Sequence, residues 1–141
     1  MPSTQRIMST ARSLSLFFAA GALGGLVNGL VVWLAGDLGI THALGVAIAP
    51  KLSAAWLYPR VVWGGIWGFL FVLPVSLRWL ARGLALSLGP SLVQLLVVFP
   101  LQARKGVLGL DLGVLTPCFV LFFNASWGIA ASWWVRGTSG R

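Results

Sequence analysis

Four long stretches without a charged residue constrain the fold of this chain more than any other feature. The uncharged and largely apolar runs cover residues 14–35, 61–77, 83–103 and 112–135. A helix needs about 20 apolar residues to cross a hydrocarbon core about 30 Å thick, and about 17 residues is the lower limit. All four runs reach this length, the second one barely. The sequence therefore predicts four transmembrane helices.

The composition agrees with a lipid environment. Of the 141 residues, 58% are hydrophobic and 9% are charged, whereas soluble domains are roughly 45–50% apolar and about 25% charged. The predicted fold class is all-α, an integral membrane bundle of four transmembrane helices with one further helical segment. We predict a cytoplasmic N-terminal tail at residues 1–13, one membrane-embedded domain at 14–135 and a C-terminal tail at 136–141.

The further segment covers residues 38–58, between the first and second runs. It contains His42, Pro50 and Lys51, so a full crossing would bring a cation and a helix breaker into hydrocarbon. A re-entrant or interfacial segment is favoured over a fifth crossing, with Trp56 and Tyr58 at the headgroup level.

A cleaved signal peptide is the alternative interpretation of the first run. Arg6 and Arg12 precede its apolar core, and the residues 20–22 resemble a cleavage site. The run continues unbroken to Ala35, which is longer than a signal core and favours a retained helix.

The cations predict orientation rather than a nucleic-acid partner. Ten Lys and Arg residues give a net charge of +8, but they lie at the edges of the apolar runs. A nucleic-acid surface needs its cations gathered on one face. With the N-terminus inside, six cations flank the cytoplasmic side and four flank the opposite side. The positive-inside rule then predicts that both termini are cytoplasmic.

Few side chains in this sequence can carry catalytic or metal chemistry. Cys118 is the only cysteine, His42 the only histidine, and Asp37 and Asp111 the only carboxylates. We find no nucleophile–base pair or metal constellation, and predict no catalytic residue, metal or cofactor. Asp37, His42 and Asp111 fall on the non-cytoplasmic side, where they could sense pH or bind a cation, although solvated loop charges are the simpler interpretation. Cys118 is expected to be buried.

Small residues spaced four apart predict close helix packing. They are Gly21, Gly25 and Gly29 in the first run, Gly64 and Gly68 in the second, and Asn124, Gly128 and Ser132 in the fourth. Such stripes join helices within one chain or between chains, and the sequence leaves both open.

Three amides lie inside the apolar runs: Asn28, Gln94 and Asn124. An amide without a partner in lipid costs several kcal/mol, so we expect Asn28 to pair with Gln94 or Asn124. The cluster is either structural glue between helices or the lining of a polar path. Trp127 also lies well inside its run, where its indole N–H needs an acceptor and is expected to face protein.

From Gln94 onward, a third of the chain resembles the YagU-like family of uncharacterised bacterial inner-membrane proteins. The matching pieces are Gln94-Leu95, Phe99-Pro100-Leu101, Thr116-Pro117, Asn124 and Trp127-Gly128. Members of that family are longer, with a large soluble insertion early in the chain that has no counterpart here. The resemblance implies a bacterial inner-membrane location and no catalytic or binding residue.

Two functional hypotheses follow from these patterns. The first is a small multi-pass membrane protein that acts through helix–helix assembly, as a homo-oligomer or as a subunit that packs against other membrane proteins. The alternative is a small channel or transporter with a polar path lined by Asn28, Gln94 and Asn124. The short loops leave no room for a soluble catalytic domain.

Overall fold

The computed structural model describes residues 4–138, and every regular element in this part of the chain is helical. The α-helices are α1 (Thr4–Asp37), α2 (Ile40–Ala43), α3 (Ala54–Trp67), α4 (Trp79–Leu86), α5 (Leu88–Val93) and α6 (Thr116–Thr138). Three other helical pieces complete the architecture: a 3₁₀ turn at Gly68–Val72, a π-helix at Gln94–Gln102 and a pair of 3₁₀ turns at Val107–Leu112.

Helix α1 lies at the centre of the bundle and packs against α3. Gly21 lies against Gly68, and Gly29 lies against Leu57, so the residue numbers fall along α3 as they rise along α1. The two helices are therefore antiparallel. The glycines allow this close approach because a Cβ atom on Gly21 would collide with the backbone of α3.

Helix α6 packs against α1 on one side and α4 on the other. Gly24 of α1 lies against Trp127, and the backbones of Gly83 and Gly128 meet where α4 crosses α6. The Ser132 hydroxyl donates to the Trp79 carbonyl one turn further along. Because α6 runs antiparallel to both α1 and α4, residues 4 and 138 lie at the same end of the bundle.

Three helices are long and apolar enough to cross a membrane: Ile7–Asp37, Trp79–Gln102 and Thr116–Thr138. They correspond to the first, third and fourth predicted runs, and they indicate a membrane protein. The predicted arrangement of four crossings with a re-entrant segment is not confirmed. Residues 4–13 and 136–138 of the predicted tails continue α1 and α6 as helix.

The second predicted run, 61–77, does not coincide with a helix. Helix α3 begins earlier, at Ala54, because the Ser53 side chain accepts a hydrogen bond from the Trp56 amide and caps the first turn. The 3₁₀ continuation ends at Val72, because Leu73 precedes Pro74 and is extended, with ψ 134°. The Arg82 guanidinium donates to the Phe71 carbonyl, which this ending leaves without a helical partner.

The predicted helical segment at 38–58 is not one unit in the structure. Helix α2 is a single turn, residues 46–53 are irregular, and the remainder belongs to α3. Gly45, with φ 73°, ends the turn. The Ala47 amide then donates to the Leu112 carbonyl and the Thr41 hydroxyl to the Ile48 carbonyl, and these bonds fix the connection.

The helical segment Trp79–Gln102 changes its winding at Gln94, where the α-helix becomes a π-helix. Pro100 lies inside the π-helix and cannot donate to the ladder. π-Helical turns are frequent at functional sites. Gln94 therefore lies at the junction of the α-helix and the π-helix.

Candidate binding cavity

A cavity of about 380 Å³ lies between α3 and the segment Trp79–Gln102. Helices α1 and α6 form its floor through residues that include Asn28 and Asn124, while Trp63 and Val97 belong to its two walls. Its volume is at the lower end of the roughly 300–1,000 Å³ typical of ligand pockets. The three amides singled out by the sequence all line it.

A chain of hydrogen bonds crosses this cavity through four helical segments. Arg60 Nη1 donates to Asn28 Oδ1 over 3.2 Å, and Asn28 Nδ2 faces Asn124 Oδ1 at 3.4 Å. Asn124 Nδ2 in turn donates to Gln94 Oε1 over 3.2 Å. The structure therefore brings Asn28, Gln94 and Asn124 together, and Asn28 has the amide partner that its apolar surroundings require.

The direction of this chain is fixed by groups that have only one hydrogen-bonding role. The Arg60 guanidinium can only donate, so the Asn28 oxygen must face it. Asn28 Nδ2 donates to the Phe123 carbonyl over 2.7 Å, and a carbonyl can only accept. Asn28 thus presents its N–H to Asn124, which in turn presents its own N–H to Gln94. The Gln94 oxygen accepts this bond, and the two N–H donors of the Gln94 amide lie beyond it.

The four polar side chains lie at one depth in the bundle. Asn28 and Gln94 lie in the second halves of Ile7–Asp37 and Trp79–Gln102, and Asn124 lies in the first half of the antiparallel helix Thr116–Thr138. Arg60 lies in the first half of the segment that α3 forms with its 3₁₀ continuation. All four are displaced toward the end of the bundle that carries Asp37.

Arg60 is the cavity residue that sequence reasoning missed. The charge-free runs predict Arg60 at a membrane edge, whereas α3 begins at Ala54 and includes Arg60 in its second turn. Its guanidinium lies 4.4 Å from the centre of the Trp56 ring, in a cation–π contact. Ser53, a capping residue before an apolar stretch, is the signal that would have extended the helix past Arg60.

One end of the cavity is closed and one long side is open. Gly89 lies against the side chains of Leu70 and Trp67, which closes the end farther from Asp37. Trp63 is 61% exposed and Val97 is 41% exposed along the gap between the two walls. The cavity therefore opens sideways between α3 and the π-helix.

The glycine stripes are used within this chain. Gly21 and Gly25 face α3 at Gly64 and Arg60, and Gly68 lies against Gly21. Gly29 accommodates the Leu57 side chain, and Gly128 meets Gly83. These contacts select the intrachain alternative for the stripes. Trp127, 3% exposed, donates its indole N–H to the carbonyls of Gly21 and Gly64 over 3.1 and 3.2 Å, so the expectation that it faces protein is confirmed.

The three polar residues at the other predicted site are all exposed: Asp37, His42 and Asp111. Asp37 lines a second cavity of about 510 Å³ together with Lys51. Within residues 4–138, no group of three His, Cys, Asp or Glu side chains is positioned to hold a metal ion. The expectation for Cys118 is wrong, because this residue lies exposed on the outer face of α6.

Comparisons of this chain with protein-family models, with curated proteins and with solved structures found no match. The resemblance of the C-terminal third to the YagU-like family stays a prediction.

Proposed function

We propose that this chain is a four-pass integral membrane protein that binds the polar part of a ligand inside the bilayer, in the cavity between α3 and the π-helix. The observation that carries the proposal is the hydrogen-bonded chain from Arg60 to Gln94 along the cavity. Polar and charged groups at membrane depth mark ligand or ion sites by default.

The order of the helices supports a fourth pass by α3 and its 3₁₀ continuation. Residues 4 and 138 lie at one end of the bundle, and a chain that starts and ends on one side of a membrane crosses it an even number of times. The 14 residues of α3 and the five residues of its continuation extend about 30 Å, which matches the hydrocarbon core.

A location in the bacterial inner membrane, with both termini cytoplasmic, completes this proposal. The cation distribution supports the orientation, and the YagU-like resemblance supports the compartment. The sequence assigns six Lys and Arg residues to the end predicted as cytoplasmic, and three to the other end once Arg60 is counted with the cavity.

The geometry favours ligand binding over the two functions that the sequence suggested. The glycine stripes are used between helices of one chain, so they are no longer free to join separate copies, and homo-oligomerisation stays a prediction without an assigned surface. The contact of Gly89 with Leu70 closes one end of the cavity, which supports a binding site rather than a continuous pore.

The test is the water accessibility of the cavity. In a Cys118→Ser background, Val97→Cys places a thiol on the cavity wall, and Leu96→Cys places one at the same depth on the lipid-facing side, where Leu96 is 52% exposed. A thiolate is required for reaction with a methanethiosulfonate reagent, and a thiolate needs water. We expect the Val97→Cys protein to react at least about tenfold faster.

Equal and slow modification at both positions would contradict the proposal, because a cavity without water offers no site for a polar ligand group. Equal and fast modification would also contradict it, since the surface around Leu96 would then be in water and not in lipid. Both variants replace an exposed aliphatic side chain by a smaller one, so folding affects the two measurements equally.

A further inference from the structure

We infer that the ligand of this cavity is an anionic amphiphile, whose carboxylate or phosphate group binds Arg60 and whose apolar chain lies in the lateral opening. The inference rests on the proposed function and names the ligand class and the residue that recognises it. The sequence assigned no binding role to Arg60.

Arg60 has no counter-ion among the side chains of this cavity. The whole chain contains only two carboxylate side chains, Asp37 and Asp111, and both are exposed and outside the cavity. Arg60 has five N–H donors, and its one hydrogen bond in residues 4–138 goes to the neutral Asn28. A guanidinium at this depth needs a compensating anion, which this chain does not supply.

The hydrogen-bonded chain has a direction. Its first member, Arg60, and its last member, Gln94, both line the cavity, Arg60 has only donors, and the Gln94 oxygen already accepts from Asn124. A ligand group that meets both must be an acceptor. Carboxylate and phosphate oxygens are the acceptors that a guanidinium binds most strongly, because the forked donors match two oxygens at once.

The shape and lining of the opening indicate that the ligand carries an apolar chain. The cavity opens sideways between Trp63 and Val97, toward the faces of the bundle that carry exposed apolar side chains. Val93, 37% exposed, continues this apolar wall. A ligand that enters here passes through lipid, so its anionic group must be attached to an apolar chain.

Snorkelling is the competing explanation for Arg60. The guanidinium stacks on Trp56, one turn nearer the Asp37 end of the bundle, which is the direction toward the nearer headgroup layer. A snorkelling arginine would be solvated like the other exposed cations, so its replacement would lower the preference for anionic heads no more than replacement of another exposed arginine. Comparison of Arg60 with an exposed arginine therefore separates the two explanations.

The experiment measures ligand binding to the unmodified chain in an uncharged detergent, by native mass spectrometry. Oleate is compared with methyl oleate, and phosphatidylglycerol with phosphatidylcholine, so that each pair differs mainly in the charge of the head. We expect about tenfold tighter binding of the anionic member, since a charge-assisted hydrogen bond in a cavity supplies at least this factor. The pair that shows the larger preference for its anionic member indicates whether the site favours a carboxylate or a phosphate head.

The matched variants are Arg60→Gln and Arg78→Gln, which remove the same charge. Arg78 is exposed and lies outside the cavity. Arg60→Gln is expected to abolish the preference for the anionic member, Arg60→Lys to retain part of it, and Arg78→Gln to leave it within about twofold of the parent chain. If Arg60→Gln does not fold, Arg60→Lys decides the inference, since it should lower the preference for the anionic member more than Arg78→Gln does.

Three results would overturn the inference. The parent chain could bind the charged and neutral members of each pair equally, both arginine variants could lower the preference equally, or inorganic phosphate alone could displace oleate at comparable concentration. The reactivity of Val97→Cys tests the proposed function independently of this inference. If Val97→Cys is reactive but the chain shows no head-group selectivity, the water-filled cavity is supported and only the assignment of an anionic amphiphile is wrong.

Discussion

The Arg60 guanidinium donates to the Asn28 side-chain oxygen over 3.2 Å, across the contact between α3 and α1. This bond explains an amide in a glycine-rich stretch of an apolar helix. Asn28, 7% exposed, accepts from the cation and donates to the Phe123 carbonyl, so it joins three helices. The neighbouring Gly29 leaves room for Leu57 and, further away, for the stem of Arg60.

Replacement of Asn28 by Leu should destabilise the bundle. The side chains are similar in size, but Leu leaves Arg60 Nη1 and the Phe123 carbonyl without this partner. We expect the free energy of unfolding, measured by titration with SDS in mixed micelles, to fall by about 1–3 kcal/mol.

The coupling between Asn28 and Asn124 is tested by a double-mutant cycle. With Asn28→Leu, Asn124→Leu and the double variant, we expect a coupling energy of about 0.6–2 kcal/mol. Asn28→Leu combined with Ser15→Ala, an exposed residue on the same helix, should be additive. Additivity in both pairs would mean that the 3.4 Å contact between the amides contributes nothing to stability.

Gly64→Ala should separate α3 from α1. A Cβ atom at Gly64 would lie 2.6 Å from the Gly21 carbonyl oxygen and 2.7 Å from Gly25 Cα, and backbone atoms cannot rotate away. We expect a loss of about 1–3 kcal/mol in the free energy of unfolding. Gly137→Ala is the matched control, because a Cβ atom there meets nothing within 4 Å, and helix propensity favours Ala. Equal stability of the two variants would show that the α1–α3 contact is looser than described.

The partners of the scarce amides were predicted from the sequence, whereas the position of Arg60 was missed although the sequence contains its signal. Asn28 and Asn124 are polar in apolar runs, and the absence of water leaves such groups only each other. In the sequence, Arg60 marks the boundary of a charge-free run. The helix nevertheless begins before Arg60, because the Ser53 cap and not the nearest charge sets its start. The choice between intrachain and interchain glycine contacts depends on which helices are neighbours. The four-residue spacing of the glycines does not identify the neighbouring helix.

Trp127→Phe should cost stability through a hydrogen bond rather than through packing. The phenyl ring retains most of the buried apolar surface, but the carbonyls of Gly21 and Gly64 lose the shared indole donor. We expect a decrease of about 1 kcal/mol in the free energy of unfolding. Trp133→Phe, at a residue 57% exposed, should change this value by less than about 0.5 kcal/mol. A larger loss of stability for Trp133→Phe than for Trp127→Phe would mean that the exposed indole, at the headgroup layer, stabilises the protein more than the buried one.

The two ends of the helical bundle are expected to lie on opposite sides of the membrane. Ser9 and Gly137 are exposed near the two ends of the described chain, and Val114, 84% exposed, precedes α6 at the other end of the bundle. Single cysteines at these positions, in a Cys118→Ser background, are labelled with a membrane-impermeant maleimide in sealed vesicles of known orientation. An even number of passes requires Ser9→Cys and Gly137→Cys to react from one side and Val114→Cys from the other, with Leu30→Cys unreactive from both because it faces lipid. Reaction of Ser9→Cys and Gly137→Cys from opposite sides would mean that α3 and its continuation do not cross, and the cavity would then lie at a membrane surface, where Arg60 needs no bound anion.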